Sequence, residues 1–309
     1  MCGISGFIGN KNIRESNIKS TLKLMKNRGP DKQDYYHTEL NKKNKLYLLH
    51  SRLSIIDLKD RSHQPFQLGN YVLIFNGEIY NYLELKKKIK KKVIFQTKSD
   101  TEVILHYFKL FGVKCFDYFE GMWSLAIFDI KKKKLILSRD RFGEKPLFVM
   151  KRKEGIYFGS EIKYLKNLSG LKKLEINYKK INEFLQFGYK SVYKNNDSFF
   201  LNISKLKNSS FLIIDENIKT KLKSYWKFNM KVNYKLQIKN IVNKARKLFL
   251  ESLKLRLRSD VPIALCLSGG IDSTTIASIT KKKIGKNLET CSIIDNKDIR
   301  YNESKNITY

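Results

Sequence analysis

The feature that most constrains this chain is a hydrophobic period that changes along its length. Ile18, Leu22 and Met25 fall on one helical face, and Gly29-Pro30 is placed to stop that helix. Tyr71–Phe75 is an unbroken apolar run that reads as a buried strand, followed by a turn signal at Asn76-Gly77. Helical spacing returns at Tyr82, Leu85 and Ile89, with lysines on the far side, and again at Ile104, Phe108 and Phe111. Ser99 followed by Glu102 reads as a capping box opening this last helix. From Met122 to Phe158 the pattern is that of strands, separated by a lysine turn at 131–134 and by the segment 143–146. Such a chain builds a mixed sheet with helices laid over it.

Residues 216–235 are polar and lysine-rich apart from Tyr225-Trp226, which places the domain linker there. Beyond it, Ile238, Ile241, Ala245, Leu248 and Leu253 recur at helical spacing, and Val261–Leu267 reads as a strand running into Ser268-Gly269-Gly270. A second strand is expected at Thr290–Ile294, ahead of Asp298–Asn302 and Tyr309. The expected division is a first domain at 1–215, a linker at 216–235, and an α/β unit at 236–309 with too few strands to close a doubly wound sheet. On that ground residues 260–309 are expected to be mobile, and the first domain to fold and work alone. Two domains also fit 309 residues at about 150 per domain.

Composition removes several classes. With 19 Phe, 17 Tyr and 2 Trp the chain is too aromatic for intrinsic disorder. The longest uncharged apolar stretch, around 121–128, is far below the roughly 18 residues a membrane helix needs, so no membrane association is expected and the cytoplasm is the expected compartment. Cys2, Cys115, Cys266 and Cys291 form no CxxC pair, and His37, His50, His63 and His106 lack metal-ligand spacing, so neither a disulfide framework nor a metal site is indicated. The formal charge of +33 is almost all lysine in short runs, with little of the arginine that reads bases and phosphates. Those runs read as solvated faces, and nucleic acid is not an expected partner.

Two constellations carry chemistry. Removing Met1 would leave Cys2 with both a thiol and a free α-amine, and an amine titrating near 7.7–8.0 is placed to take a proton from a thiol of pKa about 8.5. Further on, an apolar strand enters Ser268-Gly269-Gly270-Ile271-Asp272-Ser273-Thr274 and then a helix carrying Ile276 and Ile279. Small residues at a strand-to-helix turn expose backbone N–H groups at a positive helix end, which suits a phosphate. No Lys follows the glycines, so this is not the GxxxxGK[ST] loop.

Around Cys2 stand Arg28-Gly29-Pro30-Asp31, His50-Ser51-Arg52-Leu53-Ser54-Ile55, Asn76-Gly77-Glu78-Ile79-Tyr80-Asn81, Ser99-Asp100-Thr101-Glu102 and the segment 139–147. With these motifs, in order, the sequence resembles the class II glutamine amidotransferases and, within them, the glutamine-hydrolysing asparagine synthetases. The resemblance implies an α+β N-terminal-nucleophile fold, an αββα sandwich, followed by the beginning of an α/β adenine-nucleotide hydrolase-like domain. It implies Cys2 as nucleophile with its own amine as base, and Arg52 on the carboxylate of glutamine, beside a lining of Leu53, Ser54, Ile55 and Ile56. Asn76 and Gly77 would form the oxyanion hole, and Glu78 and Asp100 would hold the ammonium. The second motif resembles the pyrophosphate loop of ATP pyrophosphatases. That likeness implies ATP and Mg²⁺ as cofactors, Leu267 beside the nucleotide, Ser268, Gly269, Gly270 and Ser273 around the phosphates, and Asp272 on Mg²⁺-pyrophosphate.

The substrates so implied are glutamine, aspartate and ATP, the product is asparagine by way of β-aspartyl-AMP, and a homodimer is one option for the assembly. Amidation of another carboxylate, such as a sugar acid of a surface polysaccharide, stays open, as do a tRNA-modifying ATP pyrophosphatase and a non-catalytic scaffold. Arg139-Asp140 and Lys145-Pro146 read as a salt-bridged tight turn holding a strand pair. Where relatives carry Pro-Gly-His this chain has Leu206-Lys207-Asn208-Ser209-Ser210, which leaves that turn's form open.

Overall fold

The computed structural model describes residues 1–230 and 237–293, which divide into a first compact unit, Met1–Phe228, and a second beginning at Asn229. The first unit runs β1 (Gly3–Gly9), α1 (Glu15–Met25), β2 (Lys32–Glu39), β3 (Lys45–Arg52), β4 (Phe66–Leu68), β5 (Tyr71–Ile79), α2 (Tyr82–Ile89) and α3 (Asp100–Phe111). It continues through β6 (Gly121–Asp129), β7 (Lys134–Arg139), β8 (Phe148–Arg152), β9 (Gly155–Gly159), α4 (Ile162–Ser169) and α5 (Tyr178–Phe187). Three strands complete it, β10 (Ile203–Lys205), β11 (Ser210–Ile214) and β12 (Thr220–Ser224). Its strands form two six-stranded antiparallel sheets, β10-β8-β9-β1-β3-β2 and β12-β11-β7-β6-β5-β4. The sheets stack face to face, with α1 and α4 over the first and α2 and α3 over the second, an αββα sandwich.

The central strands are apolar on both faces because both faces are covered. In β5, Val72 and Ile74 join Ile4, Ile8, Leu46, Leu48 and Ala126 between the sheets. Leu73 and Phe75 point the other way, onto Val103, Ile104 and Phe108 of α3. That is why Tyr71–Phe75 reads as an unbroken apolar run. Each such side chain, fully buried, contributes about 1.5–3 kcal/mol.

Several expectations are corrected. Asn76-Gly77 is not a turn: β5 runs through it, pairing Asn76 with Ser124 and Gly77 with Trp123 of β6. Ser99 does cap α3, accepting the Thr101 N–H at 3.1 Å, but Glu102 does not return to the Ser99 N–H as a capping box requires. Its buried carboxylate instead takes the N–H groups of Gln96 (2.8 Å) and Thr97 (2.7 Å) and the Thr97 hydroxyl (2.7 Å), tying down the loop before the helix. The expected linker begins too early, because Thr220–Ser224 pairs with β11 as an edge strand. Tyr225 then packs on Trp123 with ring centroids 5.9 Å apart and donates to the Arg139 carbonyl at 3.0 Å.

The segment after β7 is a tight turn, but hydrogen bonds to the backbone hold it rather than an Arg139–Asp140 salt bridge. Arg139 donates to the carbonyls of Gly143, Lys145 and Leu206. Asp140 accepts the N–H groups of Trp123, Phe142, Glu144 and Lys145 at 2.9–3.1 Å. Two buried groups thereby satisfy each other's surroundings without touching. At 206–210 a turn forms with Ser209 left-handed, φ 54°, its hydroxyl on the Arg141 carbonyl at 2.8 Å.

The second unit carries α6 (Ile238–Arg256), β13 (Ala264–Cys266), α7 (Ile271–Ile279) and β14 (Glu289–Cys291), with β13 and β14 parallel. The strand expected at Val261–Leu267 is thus shorter. Ile294, Asp298–Asn302 and the rest of the chain to Tyr309 lie outside the described residues. No helix among the described residues is long and apolar enough to cross a membrane.

Candidate active site

Cys2 stands at the start of β1, which is gripped by β3 on one side and β9 on the other. Its Sγ lies against the chain just beyond β3, 3.4 Å from the Leu53 nitrogen, whose N–H donates to it, and 3.5 Å from the Leu53 oxygen. Arg28 Nε donates to the Cys2 carbonyl at 2.9 Å, and Arg28 is itself paired with Glu161 at 3.1 Å. Burial pushes the thiol above its ordinary value. A thiol so placed needs a base at the moment it attacks.

Cys2, Arg52, Leu53, Ile55, Ile56, Asn76, Gly77, Glu78 and Asp100 line one pocket. Met1, Gln64, Ser99, Thr101 and Lys145 are also in its wall. Ser54 alone of the expected set is not; its N–H is held by the Asp31 carboxylate at 2.7 Å.

Arg52 ends β3, and its terminal nitrogens donate to the carbonyls of Ile56 (3.4 Å), Asp57 (2.5 Å) and Lys59 (3.1 Å). These neutral acceptors fix the guanidinium without cancelling its charge.

The donors on β5 follow from the pleat. Trp123 gives both its N–H and its carbonyl to Asp140, on the β7 side. Its partner Gly77 is therefore in a non-hydrogen-bonded pair and turns its own N–H away from β6. Two residues either way obey the same rule: the Phe75 N–H donates to Gln64 Oε1 at 2.6 Å and the Ile79 N–H to Asp100 Oδ2 at 2.9 Å. The Gly77 N–H stands between them, on the pocket side. Only glycine fits there, because a Cβ would meet the Met122 carbonyl oxygen at 2.0 Å. The Asn76 side chain is 1% exposed, with Nδ2 3.5 Å from Ser124 Oγ and Oδ1 without a partner. A half-turn of that amide lets the Ser124 hydroxyl donate to Oδ1 and frees Nδ2 as a donor.

The two pocket carboxyls are both raised above their ordinary range. Glu78 is pushed up to about 7 by burial and then by Asp100, with Lys145 and the terminal amine pulling against the shift. Asp100 is raised to about 6 by burial, against its hydrogen bonds to Ile79 and Ser99. An ammonium between them would return both to the ionised form. Lys145 is the residue that sequence reasoning missed. It belongs to the tight turn by its backbone, yet its side chain is buried at the pocket wall, with the amine on the Met1 sulfur. Nothing in Gly143–Pro146 distinguishes a lysine that faces a pocket from one that completes a turn.

In the second unit, the Leu267 N–H donates to the Cys291 carbonyl at 2.8 Å and so extends the ladder by one bond. The chain then turns through Gly269, φ 72°, to Gly270, which caps α7. The Ser268 N–H donates to Ser273 Oγ at 3.2 Å, the two hydroxyls are 3.1 Å apart, and Ser273 Oγ donates to the Gly270 carbonyl at 3.2 Å. Asp272 is exposed in the first turn of α7. Among the described residues no group of three or more His, Cys, Asp or Glu could hold a metal on its own. The single exposed carboxylate of Asp272, in the first turn of a helix that opens on Ser268-Gly269-Gly270, is compatible with Mg²⁺, an ion that takes most of its ligands from phosphate oxygens and water.

Residues 1–226 match the glutamine amidotransferase domain family and residues 244–308 the asparagine synthase family. Glutamine-hydrolysing asparagine synthetase 2 of Bacillus subtilis is 35% identical over 97% of this chain and 42% of its own length. Its counterpart numbered 1 is 31% identical over 91% and 44%. A Methanocaldococcus jannaschii protein named for the same activity is 33% identical over 91% and 57%. The chain thus spans about half the length of the curated relatives it matches. Among solved structures, glutamine phosphoribosylpyrophosphate amidotransferase of B. subtilis superposes with a TM-score of 0.53 at 17% identity, over 96% of this chain and 67% of that one. That likeness is one of fold. With residues 1–226 matched from end to end, the chain belongs to the glutamine amidotransferase domain family.

Proposed function

We propose that this chain hydrolyses glutamine at the Cys2 pocket and that its second unit belongs to the machinery spending the ammonia on aspartate, as an asparagine synthase. With Met1 removed, the Cys2 α-amine takes the thiol proton as Sγ attacks the side-chain amide carbon. The Asn76 amide and Gly77 N–H stabilise the oxyanion, ammonia leaves, and water cleaves the thioester to glutamate. Burial, with the Arg28 and Lys145 charges adding to it, holds the Met1 amine, one residue before the proposed base, below its ordinary value. Arg52 takes the substrate carboxylate, Glu78 and Asp100 its ammonium, and Leu53, Ile55 and Ile56 its methylenes, with Ser54 behind them. The observation that carries the reading is a thiol 3.4 Å from the Leu53 amide in a pocket holding one free N–H, one buried amide, two carboxyls and two cations.

For the second unit we propose that Ser268, Gly269, Gly270 and Ser273 cradle the phosphates of ATP beside Leu267. Asp272 would hold Mg²⁺, which when bound neutralises the departing pyrophosphate. The four cysteines are free, and a thiol nucleophile is best kept reduced in the cytoplasm, where we place the enzyme. The homodimer rests on the family resemblance alone. The test incubates the chain with glutamine, aspartate and Mg²⁺-ATP and follows glutamate, pyrophosphate and asparagine separately, with intact mass reporting whether Cys2 is the first residue. Absence of glutamate from a chain beginning at Cys2 would refute the glutaminase. Pyrophosphate released only with a different carboxylate would replace aspartate as acceptor.

A further inference from the structure

Asp57 is outside the pocket wall, yet it touches the supports of both its ends. It lies in the loop after β3, 4% exposed, with a left-handed backbone at φ 52°. Its carbonyl receives Arg52 Nη2 at 2.5 Å. Its carboxylate Oδ2 receives the Lys98 backbone N–H at 2.6 Å, in the loop that leads through Ser99 to Asp100. Arg61, a half-exposed side chain, closes on the same carboxylate at 3.1 and 3.4 Å. Burial opposes the charge on Asp57, but the Lys98 N–H and Arg61 outweigh it, and the carboxyl stays below its ordinary value.

One residue thus joins a cation and an anion 48 positions apart in sequence, one through its main chain and the other through its side chain. We propose that Asp57 is a positioning residue that fixes the spacing between Arg52 and Asp100 and so sets affinity for the α-amino-acid end of the substrate. The proposal rests on the glutaminase reading of this pocket. The α-carboxylate and α-ammonium are remote from the reacting carbon, so a looser spacing weakens ground state and transition state alike. That raises KM and leaves kcat in place. A residue needed only for folding would instead lower the active fraction, and with it kcat.

The full chain is compared with Asp57→Gly and Asp57→Asn. Glycine takes φ 52° without steric cost and keeps the carbonyl on Arg52, so only the carboxylate is lost. Asparagine also tolerates that backbone and keeps one acceptor for Lys98. We expect Asp57→Gly to raise KM for glutamine by about tenfold with kcat within about twofold, and Asp57→Asn to fall between it and wild type. With 4-carbamoylbutanoate, which lacks the α-amine, Asp57→Gly should cost less than with glutamine, since there is no ammonium to misplace. Amide hydrogen exchange should quicken both in 53–62 and in 96–101. An unchanged KM, or a lower kcat at constant KM, overturns the proposal. A wild-type chain inactive on glutamine would overturn the functional reading. The tie is still decided by exchange: quickening in both segments supports it, and quickening confined to 53–62 overturns it.

Discussion

Gly77→Ala tests the proposed oxyanion hole most directly. The added methyl would begin 2.0 Å from the Met122 carbonyl oxygen, 2.8 Å from the Trp123 Cα and 2.9 Å from a ring carbon of Phe75. Ordinary van der Waals contact starts at 3.4 Å, so β5 and β6 must part locally by about 1.4 Å, the difference between 3.4 and 2.0. The nearest two atoms are main chain in paired central strands, which cannot swing aside as a side chain would. Overpacking of this kind costs about 1–3 kcal/mol, and losing one aligned oxyanion donor lowers kcat about 10²–10³-fold. We expect a kcat at least about a hundredfold lower, KM within about threefold, and a Tm lower by roughly 2–12 °C. Steady-state glutamate release and a thermal melt, each on material shown folded by circular dichroism, measure these separately. A folded Gly77→Ala protein with kcat within twofold of wild type would refute the placement of the Gly77 N–H at the reacting oxygen.

Cys2→Ala should abolish glutamate release while shifting Tm by less than about 3 °C, since it removes a nucleophile and one sulfur's volume; residual turnover above background would point to another nucleophile. Arg52→Ala should raise KM for glutamine about 10²-fold or more with a smaller loss of kcat, and a pure kcat effect would remove the carboxylate role. Glu78 and Asp100 titrate high, at about 7 and about 6, so they are protonated at low pH and gain charge as pH rises. The affinity for an ammonium therefore strengthens upward, and KM should fall between pH 5 and 8. Glu78→Gln should flatten the upper part of that profile, and a KM independent of pH would sever these carboxyls from the ammonium.

Much of this was legible in the residues, and what was not has identifiable causes. Apolar runs buried on two faces gave β5 and β6, and the 3.6 spacing gave α1 to α3. Asn76-Gly77 carries the strongest short turn signal in the first domain, yet a strand overrides it because β6 approaches too closely for any other residue at 77. Tyr225 reads as part of a polar linker, since the rings of Phe116 and Trp123 that receive it come from a hundred residues earlier. The pocket residues on β3, β5 and α3 were found through motifs. Lys145 was not, because its backbone role accounts for its neighbours completely. Asp57 follows a strand whose apolar residues claim the attention, and only the fold brings the Lys98 amide onto it.

The amides of β5 obey a parity. Those of Phe75, Gly77 and Ile79 face Gln64, the pocket and Asp100, while the intervening residues hold the sheet together. Inserting or deleting one residue between Tyr71 and Asn76 would exchange the two sets: amides that now build the site would become rungs of the ladder, and the reverse. Variation in this strand is thus restricted to substitutions and to changes of two residues at a time. Loops on either side, by contrast, can lengthen freely without altering which way a single donor points.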